Sequence, residues 1–397
     1  MTTTEPKNIE TKPQGHGLGD KLRDWWNGLS RPMQWLVGVP AIVLIALIPV
    51  FPPPLLDTPG TSFSGVMAQF AMIALIAIGL NVVVGQAGLL DLGYVGFYAV
   101  GAYTVGLLTS PAVPWNDGKP VLEGPWAWLA VLPLAAMITA ISGVILGAPT
   151  LRLRGDYLAI VTLGFGEIVR LLTENLGDFT NGSLGLNDIA YPRLGTSEER
   201  PHGIFSAGNV GGLINNGVAW YWLGMILIIL VLLMVGNLER SRVGRSWVAI
   251  REDEDAAEIM GVPTFKFKLW AFTIGAAIGG LSGALYAGQV QFVNPTNFNI
   301  INSMLFLCAV VIGGQGNKLG VILGAFIIVY LPNRFLSVEV GGQSLGDFKY
   351  LFFGIALMVL MVFRPQGLFP VRQKLLAYGR QIYQAVRKPA IGAGEAK

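Results

Sequence analysis

The sequence predicts an all-α protein, a polytopic bundle of transmembrane helices with about ten spans. Its 397 residues are 53% hydrophobic and only 13% charged, and its mean hydropathy is +0.57. A soluble domain carries about 25% charged residues, so this chain has too few charges to cover a surface that faces water. Apolar runs close to the roughly 20 residues that a helix needs to cross a bilayer recur along nearly the whole chain.

Ten apolar runs are candidate spans. In chain order they are 33–50, 63–84, 89–108, 126–146, 157–172, 218–235, 267–290, 300–312, 319–336 and 350–363. The run 89–108 is rich in glycine and is interrupted by Asp91, and the run 300–312 is short for a full crossing. Either could be re-entrant or broken, a form that is tolerated only where protein or a water-filled cavity covers it.

The hydrophilic segments divide the chain into a transmembrane domain, residues 33–369, an N-terminal extension, 1–32, and a tail, 370–397. With the N-terminus in the cytoplasm and every span crossing, most of the 27 Lys and Arg residues fall on the cytoplasmic side, as the positive-inside rule requires. Both termini and the charged segment 238–266 are therefore expected in the cytoplasm, and the polar segment 177–217 outside.

The N-terminal extension has apolar residues at helical spacing, which favours a helix lying on the membrane surface over a disordered tail. These residues are Leu18, Leu22, Trp25, Trp26 and Leu29. The net charge of +3 is too small to predict a nucleic-acid partner, and the one cysteine, Cys308, excludes an internal disulfide. The run Gly313–Lys318 lacks the spacing of a phosphate-binding loop. Energy for any transport would therefore come from a partner or a co-transported ion, or none would be used.

The cytoplasmic segment carries the most specific motif, Arg-Glu-Asp-Glu-Asp-Ala-Ala-Glu-Ile-Met-Gly-Val-Pro at 251–263. It predicts a short helix with acidic and small residues, ended by Gly261 and Pro263. Small residues allow a helix to enter a cleft on a partner, and acidic ones can pair with the partner's Arg or Lys. The motif resembles the EAA-type loop of ATP-binding-cassette (ABC) importer permeases, although an ordinary charged loop is the alternative. The candidate coupling residues are Glu254, Asp255, Ala256, Ala257 and Gly261.

Polar residues within or beside the spans are candidates for a substrate path, because ionisable groups in a membrane usually mark a pathway or an internal pair. Asn81, Gln86 and Asp91 surround two glycines and predict an interrupted helix that could offer polar groups to a zwitterion. A simple turn with Asp91 as a cap is the alternative. Glu167 is the fourth candidate, and it could instead pair with Arg170 on the same helix face.

Glycines recur every four residues at 275, 279 and 283, with Gly280, Ala284 and Gly288 on a neighbouring stripe. Small residues at this spacing predict a ridge along which other helices approach closely.

Two long stretches, 80–103 and 149–170, closely resemble branched-chain amino-acid ABC transporter permeases, and so do two short ones, 312–317 and 363–368. The resemblance covers roughly 63–369. It implies a prokaryotic plasma-membrane subunit that pairs with a paralogous permease. It also implies two cytoplasmic ATPase subunits and an extracytoplasmic protein that delivers Leu, Ile or Val. ATP would be used by the partners, and no cofactor or metal is expected on this chain.

Two other functions remain open from the sequence. A permease for urea or short amides would have the same architecture and differ only in substrate. A stand-alone secondary transporter or channel would need no ATPase. An intramembrane enzyme is disfavoured, since the spans contain no nucleophile–base pair or metal-spaced cluster.

Overall fold

The computed structural model describes residues 61–153, 155–196, 202–209 and 214–335, together with single residues and short stretches between 33 and 58 and between 339 and 368. The N-terminal extension, with its predicted surface helix, and the tail lie outside the described residues. The chain divides into two units, Met1–Phe51 and Pro52–Lys397. In the first, residues 42–47 are helical.

The larger unit confirms the all-α prediction. Its α-helices are α1 (Phe63–Leu80), α2 (Val95–Thr109), α3 (Ala127–Thr150), α4 (Asp156–Asn175), α5 (Gly177–Thr180), α6 (Asn216–Arg240), α7 (Arg242–Glu252), α8 (Glu254–Ile259), α9 (Thr264–Val290), α10 (Ile300–Gly313) and α11 (Lys318–Phe335). Short 3₁₀ turns lie at Pro114–Asn116, Gly182–Leu184 and Pro295–Phe298. Among the described residues, the strands are β1 (Glu339–Val340) and β2 (Gln343–Ser344), which pair antiparallel.

Four helices of the described part of the chain are long and apolar enough to cross a membrane: Phe63–Gln86, Ala127–Thr150, Asn216–Arg240 and Thr264–Val290. Every predicted span between 63 and 336 coincides at least in part with a helix. The 15 residues of α2 measure only about 22 Å, less than the roughly 30 Å of hydrocarbon. The figure of about ten crossings therefore stays a prediction.

The run 89–108 is broken where the sequence predicted. The helix α1 continues as a wider π turn, Asn81–Gln86, and α2 begins only at Val95, so 87–94 is irregular. This stretch is covered by protein: a Cβ added to Gly93 would lie 1.6 Å from a backbone oxygen of α4. Leu92 N–H donates to the Thr162 hydroxyl at 3.1 Å, and the Ser303 hydroxyl donates to Leu92 O at 2.5 Å. Irregular backbone is thus satisfied by neighbouring helices.

The central helix α9 packs against α1, α2 and α3 through its glycines, which confirms the predicted ridge. A Cβ at Gly275 would lie 2.4 Å from a Val83 methyl of the π turn, and one at Gly283 would lie 2.0 Å from a backbone oxygen of α2. On the neighbouring stripe, a Cβ at Gly280 would lie 2.2 Å from the Thr139 hydroxyl of α3. Backbones this close leave no room for larger side chains.

Candidate functional site

The helix α8 of the predicted coupling segment, residues 238–266, is fixed at both ends. At its start, Asp253 accepts a hydrogen bond from Ala256 N at 2.9 Å, which satisfies a first-turn donor. Glu254 forms a salt bridge with Lys268 of α9, whose side chain is almost fully buried. The short helix is therefore attached to the body of the bundle.

At its end, α8 closes with a Schellman motif. Gly261 N–H donates to Glu258 O at 2.9 Å, and Val262 N–H donates to Ala257 O at 3.0 Å. Gly261 adopts a φ of +83°, a conformation that glycine takes at no steric cost. The predicted termination of the helix at this glycine is confirmed.

The two alanines of α8 lie on different faces. Ala256 is exposed, as are the acidic Asp255 and Glu258, whereas Ala257 is only 5% exposed and packs against the bundle. Ala257 therefore lies away from the exposed face, and its role as a coupling residue stays a prediction. The exposed face is completed by Ile259 and Met260, which are 85% and 82% exposed. An apolar patch with acidic neighbours suits a protein partner.

Helix α7, which precedes α8, contacts the interrupted end of α1. The Arg251 guanidinium of α7 donates a hydrogen bond to the backbone oxygen of Gly85 in the π turn. Gly88, with a φ of +74°, lies directly against the same arginine, since a Cβ there would be 3.0 Å from Arg251 Cγ. Helix α7 and the interrupted end of α1 are thus joined through the Arg251 side chain.

A polar cluster surrounds this contact. Gln86 Nε2 donates to Glu239 Oε1 at 2.5 Å, and the other carboxylate oxygen of Glu239 lies 2.6 Å from the Lys318 ammonium. Asn81 Oδ1 accepts from Gly316 N at 2.8 Å. The cluster gathers the C-terminal end of α6, the N-terminal end of α11 and the π turn. Within the described residues, Asn81 Nδ2 and Gln86 Oε1 are buried without a hydrogen-bond partner.

A cavity of about 320 Å³ lies at the opposite end of the bundle. It is lined by Gly65, Gln69, Met72, Ile73, Tyr98, Tyr286, Gln289, Val290, Asn297, Asn302 and Phe306. They come from α1, α2, α9, α10 and the 3₁₀ turn before α10. Asn297 Nδ2 donates to the Tyr286 hydroxyl at 2.8 Å, and Asn302 Nδ2 donates to Asn297 O at 2.7 Å.

Comparison with known proteins decides the family. Residues 62–362, more than half of the chain, match a family described as "Branched-chain amino acid transport system / permease component". The chain belongs to this family. The match includes the π turn, the coupling segment and the cavity.

The chain is also similar to individual permeases of this family. It is 40% identical over 319 residues to the high-affinity branched-chain amino acid transport system permease protein LivM of Salmonella typhimurium, covering 78% of this chain and 71% of LivM. LivM of Escherichia coli gives the same values. LivH of Salmonella typhimurium is 25% identical over 270 residues, which cover 67% of this chain and 83% of LivH. No solved structure matches the chain significantly.

Membership of the family makes the chain a permease component, which in such systems is distinct from the ATPase. The apolar helices and the relatives agree with a multi-pass protein of the bacterial inner membrane. Within the described residues, no group of three His, Cys, Asp or Glu side chains could hold a metal ion.

The structure separates the permease residues that the sequence grouped as a substrate path. Asn81 and Gln86 lie beside the coupling segment, and none of the four candidates lines the cavity. Glu167 Oε1 lies 2.6 Å from Arg170 Nη2, and Arg170 Nη1 lies 2.7 Å from Glu174 Oε2. This internal pairing is the alternative that the spacing allowed, and it already engages the Glu167 carboxylate.

Asp91 sits in the irregular stretch and is 1% exposed. Its Oδ1 accepts from Gly93 N at 2.9 Å, so it stabilises the turn just before α2. Its Oδ2 has no hydrogen-bond partner among the described residues. The turn that the sequence allowed as an alternative is present, and a direct role of Asp91 in the substrate path stays a prediction.

Sequence reasoning missed the cavity because it considered neutral amides only around the interrupted stretch 81–91 and looked for ionisable residues in the other spans. The signal was present in neutral amides: Gln69 interrupts the apolar run of α1 and Gln289 that of α9. A neutral amide within a span is also costly unless it finds a partner.

Proposed function

We propose that this chain is the membrane-spanning permease subunit of an ATP-driven importer for the branched-chain amino acids Leu, Ile and Val. The 40% identity to LivM over 78% of the chain supports this substrate class. The observation that carries the coupling mechanism is the exposed, doubly capped helix α8, whose neighbour α7 contacts the interrupted end of α1.

In the proposed cycle, closure of two cytoplasmic ATPase subunits displaces α8. Its exposed face offers Asp255 and Glu258 to basic residues of a partner and Ile259 and Met260 to an apolar cleft. The displacement reaches α1 through Arg251 and Gly85, and the bundle alternates between openings to the two sides of the membrane. The ATPases use the ATP, and this chain binds no cofactor.

The other subunits follow from the same importer architecture. LivM and LivH are separate permease proteins of one organism, and this chain is similar to both, which supports pairing with a paralogous permease. An extracytoplasmic binding protein would deliver the substrate to the polar segment 177–217. Part of that segment is held on the bundle, where Leu186 and Val293 form a β-bridge. Both termini are then cytoplasmic.

A permease for urea or short amides of the same architecture is the second candidate. A stand-alone secondary transporter or channel would not need the exposed face of α8, so that feature disfavours it.

Uptake measurements test the proposal. Labelled leucine and labelled urea are given to cells with and without this gene, and each assay is repeated after ATP depletion with the proton gradient maintained. Gene-dependent leucine uptake that requires ATP is expected. If cells without the gene lose urea uptake but keep leucine uptake, urea and not leucine is the substrate. Gene-dependent uptake that survives ATP depletion would refute coupling to an ATPase.

A further inference from the structure

We infer that the 320 Å³ cavity is a binding site for the zwitterionic head and the aliphatic side chain of one neutral amino acid. This inference rests on the proposed function and assigns the place where the substrate contacts this subunit. The volume lies near the lower end, about 300 Å³, of small-molecule sites, which suits one amino acid and not a peptide.

The cavity wall is built from one face of each contributing helix. On α1 the lining residues are Gly65, Gln69, Met72 and Ile73, and on α9 they are Tyr286, Gln289 and Val290. Spacings of three and four residues place each set on a single helix face. The site is therefore formed by helices that also bear the packing ridge and the π turn, and not by a mobile loop.

The wall has an apolar part and a polar part. Its apolar members are Met72, Ile73, Val290 and Phe306, and its amides are Gln69, Gln289, Asn297 and Asn302. Such a wall fits a ligand with a polar head and an aliphatic tail. Urea has no apolar part to bury, and a sugar would leave the aliphatic side chains against hydroxyl groups.

One polar atom of the wall has no partner. Gln289 Oε1 is buried and accepts no hydrogen bond from the described residues. A buried acceptor without a donor is costly, particularly in a span where water is scarce. The ammonium group of an amino acid carries three N–H donors. One of them would satisfy this oxygen once the end of the Gln289 side chain turns toward the cavity, because in this structure the oxygen has almost no accessible surface.

The complementary partner for a carboxylate is also present. The Tyr286 hydroxyl accepts from Asn297 Nδ2, which leaves its own proton available to donate. Helix α10 starts at Ile300, so Asn302 lies in its first turn and the positive end of the helix dipole adjoins the cavity. Among the described lining residues none carries a formal charge, which favours a ligand of zero net charge over a cation or an anion.

Direct binding to the permease–ATPase complex, purified without the binding protein into lipid nanodiscs, tests the site. The probe is tritiated L-leucine, measured by scintillation proximity. Saturable binding is expected to the wild-type complex. Gln289→Met, which keeps the length of the side chain and removes the acceptor, should weaken binding roughly 10- to 100-fold, the effect of losing a hydrogen bond to a charged group. Gln289→Glu keeps an acceptor and should retain binding.

Matched variants separate binding from assembly. Gln315→Met makes the same exchange at a half-buried glutamine outside the cavity and should leave leucine binding unchanged. Ile73→Trp fills the cavity from α1 and should abolish leucine binding. This variant tests the site if the Gln289→Met complex fails to assemble. As a probe of the head group, 4-methylpentanoate lacks the ammonium and should compete equally well against wild type and Gln289→Met.

The outcomes distinguish this inference from the proposed function. Absence of saturable leucine binding, or equal leucine affinity in the wild type and in Gln289→Met and Ile73→Trp, would overturn the cavity assignment while ATP-dependent leucine uptake by cells could persist. If cells with and without the gene show the same ATP-dependent leucine uptake, the proposed function itself is refuted.

Discussion

Replacing Arg251 with alanine should uncouple ATP hydrolysis from transport without preventing assembly. The Arg251 guanidinium donates to Gly85 O, and its aliphatic part lies against Gly88. The variant removes the hydrogen bond to Gly85 and the part of the Gly88 contact that the arginine makes beyond its Cβ. It leaves the exposed face of α8 unchanged, so the ATPase subunits should still bind.

The size of the effect follows from the charge on the donor. A hydrogen bond from a charged group contributes about 1.5–3 kcal/mol, and the lower value suits a half-buried arginine. If the contact exists in only one of two transport states, its loss shifts their ratio about tenfold. If the contact persists in both states, the ratio does not change, because a difference between states is needed.

The assay is the ratio of leucine imported to ATP hydrolysed in proteoliposomes that contain the whole transporter and the binding protein. Arg251→Ala should lower that ratio several-fold at normal ATPase content. Arg245→Ala removes an exposed arginine from the same helix and should behave as wild type. A wild-type ratio in Arg251→Ala would refute the view that this arginine transmits movement to α1.

Three further predictions concern the coupling helix and the packing ridge. Ala256→Arg should reduce co-purification of the ATPase while the abundance of the permease stays normal. Ala257→Arg buries an unpaired charge, which should cost roughly 3 kcal/mol or more and lower the amount of folded permease on immunoblots. Asp253→Ala removes the cap of α8 and should destabilise that helix by about 1 kcal/mol, seen as faster amide exchange there with unchanged exchange in α9. Gly280→Ala places a Cβ 2.2 Å from a hydroxyl oxygen of α3 and should lower the melting temperature of the detergent-solubilised protein, consistent with a cost of about 1–3 kcal/mol. In Gly164→Ala the added Cβ meets no atom within 4 Å, so the melting temperature should stay unchanged or rise slightly. A larger drop in melting temperature for Gly164→Ala than for Gly280→Ala would contradict the ridge.

Hydropathy and glycine spacing predicted most of the fold, because they report on properties that act over whole helices. A long apolar run must be helical in a bilayer, so each predicted span from 63 to 336 could be located before the structure was known. The glycines at 275, 279 and 283 predicted close packing of α9 for the same reason. Neither property specifies which helices meet, and the placement of α9 at the centre came only from the structure.

The sites were less predictable, since they depend on the phase of short elements and on partners distant in sequence. A six-residue helix has fewer than two turns, so adjacent alanines could not be assigned to a buried or an exposed face. The partners of Gln86 and Asn81 are 153 and 235 positions away in the chain. Spacing alone did reveal the pairing of Glu167 with Arg170, because three residues on a helix bring side chains together.

Helix α1 connects the two candidate sites, and its interruption explains how movement could pass between them. Gln69 in the cavity and Gly85 beside Arg251 are roughly 24 Å apart along the helix at 1.5 Å per residue. The α-helical part between them is buried along most of its length and should move as a rigid rod. The π turn is different, because its wider bonding, such as Ala87 N to Val82 O at 3.2 Å, can convert locally to the tighter α pattern. If movement of α7 drives that conversion, α1 has two arrangements, with the coupling segment at one end and the cavity wall at the other, which is the physical requirement for coupling distant sites.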